Sequence, residues 1–155
     1  MKFKLFVFIL LLISGCSSNP LINSFSLPDG QGAQLNNGWN KKLNGGLIHL
    51  FKSVNGVELK HGANVAGKNA MYRVPSGKSK LGIQINWLRT IMGPVYYATA
   101  EFEVNLEEGG HYGIGAIRED KAVTIKLINS SGEQVVTPVV TEFSNAIPIF
   151  IMVPM

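Results

Sequence analysis

The sequence predicts an all-β protein, a single antiparallel β-sandwich of about seven or eight short strands behind an export signal and a flexible tether. Three observations carry that expectation. Leu81, Ile83, Ile85 and Trp87 alternate with Gly82, Gln84 and Asn86, and Tyr96, Ala98, Ala100, Phe102 and Val104 alternate with Tyr97, Thr99, Glu101, Glu103 and Asn105. A period of two puts one such set on one face of an extended strand. Turn chemistry punctuates the chain at Asn55-Gly56, Pro75-Ser76-Gly77, Gly93-Pro94, Glu107 to Gly110 and Asn129 to Gly132, where the residue types favour tight reversals. Beyond the first segment, no stretch keeps a helical period for more than a turn or two.

Taken in order, the chain starts with Lys2 and Lys4 ahead of an unbroken apolar run from Leu5 to Ile13. A charged start, a short apolar core and small residues form the pattern of a secretory signal. The run is too short for a membrane span, which needs roughly 20 apolar residues. The junction Ile13-Ser14-Gly15-Cys16 resembles the lipobox of bacterial lipoproteins. The resemblance implies that the signal is cut before Cys16, that the cysteine sulfur is lipidated, with palmitate as acyl chain, and that the new amino terminus is acylated. More than one chain is what stable anchoring requires, since each buried methylene contributes only about 0.8 kcal/mol. Cys16 is also the only cysteine, so the exported chain has no disulfide framework. Ser17, where an Asp would favour the inner membrane, implies an outer-membrane address facing the periplasm.

The organisation expected is thus a signal peptide over residues 1–15, a lipidated terminus and tether over 16–46, and the sandwich over 47–155. The tether is read from its Asn, Gly, Ser and Pro content, although Leu21, Ile22, Phe25, Leu27 and Trp39 suit partial docking on the domain. Leu47 to Val54 is β-prone and Asn55-Gly56 turns it into Val57 to Lys60. Ala70 to Val74 is a short strand stopped by Pro75. The two alternating runs then pair as a hairpin across Arg89 to Pro94. Tyr112, Ile114 and Ala116, then Val123, Ile125 and Leu127, then Val135-Val136 supply the remaining strands. The last ten residues are apolar and hold Pro148 and Pro154, which suits an edge strand packed on the core; a tail that docks on a partner is the alternative.

The turns Asn55-Gly56, Pro75-x-Gly77 and Gly109-Gly110-His111-Tyr112, with the strand start Leu81-x-Ile83, resemble the small β-domains of the PEGA type and related lipoproteins. The resemblance spans roughly residues 47 to 128 and implies a surface module for binding or envelope architecture, with no catalytic residues to carry over.

The full chain holds 14 basic and 10 acidic residues, and loss of Lys2 and Lys4 with the signal leaves a balance of only +2. No nucleic-acid partner is expected, because such binders show a basic stripe and the nearest cluster, Lys78 and Lys80 beside Lys68 and Arg73, reads as a solvated edge. Gly62 to Asn69 nearly spells a phosphate loop, but Asn69 stands where the magnesium-binding hydroxyl belongs. His49, His61 and His111 lack the short spacings of metal ligands. Glu101 with Glu103, and Glu107 with Glu108, read as strand face and turn rather than a glycosidase pair. Gly113-x-Gly115 opens no helix, and no serine elbow occurs. Trp87 with Tyr96 and Tyr97 would make an aromatic platform, but Trp87 and Tyr96 fall on the apolar face and read as core.

No enzyme, cofactor, metal or small-molecule ligand is therefore expected. The expected function is a lipid-anchored structural or protein-interaction module, held to the membrane and partnered by another envelope protein. The alternative is a glycan or peptidoglycan binder using the loops around Gly62 to Gly67 and Gly109 to Gly113.

Overall fold

The computed structural model describes residues 21–42, 45–60, 70–89 and 94–147. The signal, the lipobox with Cys16, the glycine-rich connection with His61 and Lys68, and the tail from Pro148 onward lie outside the described residues. Strands make up the fold: β1 (Leu21–Ile22), β2 (Ala33–Asn36), β3 (Gly38–Lys42), β4 (Gly45–Val54), β5 (Val57–Glu58), β6 (Met71–Val74), β7 (Gly77–Leu88), β8 (Val95–Leu106), β9 (His111–Glu119), β10 (Ala122–Asn129), β11 (Val139–Glu142) and β12 (Ser144–Ile147). They form two sheets, one ordered β1-β6-β2-β9-β10-β11 and the other β12-β8-β7-β4-β3 with β5 beside β4. The all-β sandwich architecture is as the periodicity predicts.

The core lies where the period-two stripes meet. Leu81, Ile83 and Ile85 of β7 and Ala98, Ala100, Phe102, Val104 and Leu106 of β8 face Tyr112 and Ile114 of β9 and Val123, Ile125 and Leu127 of β10. Each large apolar side chain buried this way contributes roughly 1.5–3 kcal/mol. The β7–β8 hairpin pairs antiparallel along its whole length, from Gly77 opposite Leu106 to Leu88 opposite Val95. Each of its strands is 12 residues long, longer than the short strands expected. Asn55 (φ 51°) and Gly56 (φ 80°) form the left-handed two-residue turn between β4 and β5, as Asn-Gly favours. Asn55 Oδ1 also accepts the Lys80 amide at 2.8 Å, fastening that turn to β7.

Three details differ from the sequence reading. The segment 16–46 is no tether where the structure describes it. Ala33 and Leu35 of β2 are fully buried, and β3 and the start of β4 complete the second sheet. The polar composition there reflects strand edges and corners: β2 is held by β6 and β9 on its two sides, so neighbours supply what local propensity lacks. Second, the sandwich is not wholly antiparallel, because β1 pairs parallel with β6 and β2 parallel with β9. Third, Val135-Val136 forms no strand; beside it only a bridge between Ile128 and Gln134 occurs, and Val135 is exposed. The paired segments are instead β11 on β10 and β12 on β8.

Two of the connections that carry the chain from one sheet to the other are corners of a single residue. At the first, Asn37 separates β2 from β3 and is itself buried. Its Oδ1 accepts the Phe51 amide at 2.7 Å and its own amide donates to the Ala70 carbonyl at 2.9 Å. Phe51 needs that acceptor because β3 pairs with β4 no further than Gly38 opposite His49, so the next amide on that side has no strand to meet. The pairing of β2 with β9 ends at Asn36 opposite Gly113, and the next carbonyl of β9, that of Ile114, is met instead by His49, whose Nδ1–H donates to it at 2.9 Å. Burial pushes the His49 imidazole below its ordinary value of 6.5, against the smaller upward pull of that carbonyl. At the second corner, Phe143 lies between β11 and β12.

Candidate functional site

At one end of the sandwich the inward stripes of four segments run past the last core layer. Trp87 completes the series Leu81, Ile83, Ile85 on β7, and Tyr96 begins the series Ala98, Ala100, Phe102 on β8. Arg118 extends Tyr112, Ile114, Ala116 on β9, and Phe143 follows Val139 and Thr141 from β11. These side chains, with Arg89, Asp120 and Lys121, line an open cleft of about 510 Å³. The Trp87 and Tyr96 ring centres are 5.1 Å apart with planes tilted by 31°, and Trp87 and Phe143 are 5.5 Å apart at 49°. These are ordinary distances for interacting aromatic rings.

Arg118 Cζ stands 4.3 Å from the centre of the Trp87 ring, a cation–π contact worth about 0.5–1 kcal/mol at an exposed site. The guanidinium is held there by its own turn: Nη1 donates to the Asp120 carbonyl at 3.0 Å. Asp120 takes a left-handed conformation (φ 51°) in the two-residue turn between Glu119 and Ala122. Arg89, Arg118 and Lys121 therefore set three cations against the single carboxylate of Asp120 on an aromatic wall. Glu119 and Glu142 are exposed and are not part of the lining.

This corrects the reading of Trp87 and Tyr96 as core. Both lie on the apolar face, but at its outer limit, where they are only half-buried. Tyr97 points to the opposite face and pairs across to Ser144. The signal that would have revealed the cleft is Arg118, a cation on an inward-facing register after three apolar or small residues.

The glycines Gly109 to Gly113 lie at the other end of the sheets and are engaged internally. The Gly109 amide donates to the Gly32 carbonyl at 2.9 Å and the Gly110 amide to the Glu107 carbonyl at 3.0 Å. Tyr112 Oη accepts the Glu107 amide at 2.9 Å. Glu108 acts as a clip across three loops, accepting the Gly32 amide at 2.6 Å on Oε1 and the Ser76 hydroxyl at 2.5 Å on Oε2. The Ser76 hydroxyl first, and then the Gly32 amide, hold this carboxyl below its ordinary value of 4.5. Its share of stability is therefore present above the unfolded value and is lost as pH falls through the lower folded one. Glu108→Gln should flatten that part of the acid-unfolding profile, followed by circular dichroism; an unaltered acid limb would mean that the clip contributes nothing.

The remaining motifs are dispersed. Glu101 faces outward on β8 with Lys80 Nζ at 2.7 Å, and Arg73 on the other sheet pairs with Asp29 at 2.9 Å. The Lys80–Glu101 pair is exposed and contributes little, and the two pairs leave the lysines and Arg73 without a shared face. His111 is exposed while His49 is buried, and among the described residues no group of His, Cys, Asp and Glu is arranged to hold a metal. Gly113 and Gly115 sit within β9, opposite Ile128 and Lys126. Among the described residues, no helix is long and apolar enough to cross a membrane. No protein-family model, curated protein or solved structure matches the chain.

Proposed function

We propose that this protein is a lipid-anchored, non-enzymatic module of the bacterial cell envelope, serving as a structural or protein-interaction unit and facing the periplasm from the outer membrane. The observation that carries the reading is the run Lys2 to Ile13 followed by Ser14-Gly15-Cys16, which resembles a lipoprotein signal and leaves a rigid sandwich to be presented from the membrane surface. The loop carboxylates agree with a structural role, since Glu108 ties Gly32 to Ser76 and Glu133 binds Asn129 and Ser131 within one turn. Cys16→Ala should move the protein from the membrane fraction to the soluble fraction of its own cells while leaving the β-sheet circular dichroism unchanged. Persistence in washed membranes would refute the anchor. Crosslinking of the membrane-extracted protein, read by mass spectrometry, should return an envelope protein.

A second reading, binding of a glycan, is favoured by the end cleft. Aromatic faces grouped at a surface opening, with polar groups converging on them, are how many small-ligand sites are built.

A further inference from the structure

Resting on that second reading, we propose that the cleft binds a saccharide ring bearing a carboxylate. Trp87, Tyr96 and Phe143 provide the apolar wall on which the C–H face of a pyranose can lie. A neutral sugar would need no more than that wall and a few hydrogen bonds. Here Arg89, Arg118 and Lys121 are gathered around it against Asp120 alone, which favours an anionic ligand.

Arg118 is the residue most suited to choose the ligand. Its guanidinium is oriented by the Asp120 carbonyl and supported on Trp87. Only Nη1 is engaged by a protein acceptor among the described residues, and a guanidinium has further N–H groups in a planar fork that matches a carboxylate. An arginine fixed in advance by stacking loses less freedom on binding than a free one. The cation therefore stands beside the aromatic wall, where a ring and its carboxylate can engage both at once. Lys121 and Arg89, exposed like Arg118, add positive charge at the rim.

The test uses the full-length lipidated protein in detergent micelles, titrated by calorimetry with trigalacturonate, with its fully methyl-esterified form, and with a peptidoglycan disaccharide carrying the lactyl carboxylate. The acid trimer or the lactyl disaccharide should bind at least about tenfold more tightly than the ester, in keeping with a charge-assisted contact. Which of the two binds identifies the source of the carboxylate. Arg118→Gln should remove that preference, and Trp87→Ala should abolish binding. Because Trp87 packs against the core, the exposed pair Arg118→Gln and Lys121→Gln carries the conclusion if Trp87→Ala does not fold. Equal binding of acid and ester overturns the carboxylate inference and leaves the glycan reading standing. Binding of none of the three overturns both. An acid preference that survives Arg118→Gln with Lys121→Gln removes it from this cleft and overturns the proposal.

Discussion

Gly32→Ala should destabilise the fold by on the order of 3 kcal/mol, the sum of a left-handed backbone and a steric conflict. Gly32 has φ of 85°, and a Cβ there would run into the Val74 carbonyl oxygen and come within 2.7 Å of Leu27 Cδ1. The Leu27 side chain can swing aside, but the backbone carbonyl cannot easily give way. The Val74 carbonyl belongs to β6, which pairs with Ala33 directly after the glycine, and the Gly32 amide and carbonyl are both committed, to Glu108 and to Gly109. Gly30 is the internal control. It has φ of 80° but nothing within 4 Å of its missing Cβ, so Gly30→Ala should cost only the backbone term, about 1–2 kcal/mol. Urea denaturation of the two variants measures the difference. Equal losses would show that backbone conformation alone makes Gly32 necessary.

Asn37→Ala should destabilise by about 2–3 kcal/mol, because it strands the Phe51 amide in the interior without an acceptor. Phe51 is fully buried, so water cannot take the place of Asn37 Oδ1 without opening the sandwich. The change also removes the weak 3.4 Å contact from Asn37 Nδ2 to the Tyr72 hydroxyl. Hydrogen exchange at the Phe51 amide is the specific readout: it should accelerate more than exchange at Ile83 or Ile85. Uniform acceleration would mean that the residue matters to the corner as a whole and not through this bond.

Much of the fold was legible because period-two alternation reports directly on which side of a strand is buried. The β7–β8 hairpin, the inward residues of β9 and β10 and the Asn55-Gly56 turn all follow from it. What escaped was short or depended on partners. β2 offers only Ala33 and Leu35 as inward residues, too few to distinguish a strand from an apolar contact in a linker, and its pairing comes from strands far away in sequence. The corner at Asn37 reads locally as an Asn-Asn-Gly turn, yet its purpose is to satisfy an amide 14 residues on. The cleft was half visible: Trp87 and Tyr96 were on the correct face, but alternation gives the direction of a side chain and not its distance from the end of the opposing sheet. Only when Arg118, Asp120 and Phe143 are brought alongside does that face prove to be open.

The junction through Phe143 leaves an uneven margin on β8. β12 meets β8 only at Val95 and Tyr97, so the length of that strand beyond them has no ladder partner on this side among the described residues. Uncovered strand margins invite addition of a foreign strand. Along this one, Thr99, Glu101, Glu103 and Asn105 face solvent. Two molecules meeting margin to margin would bring the Glu101 and Glu103 carboxylates of each close to those of the other, with Lys80 offsetting them only in part, and like charges directly opposite weaken strand pairing. The same alternation that fills the interior thus makes the outer row of β8 a deterrent to self-assembly, which matters most where molecules are crowded side by side.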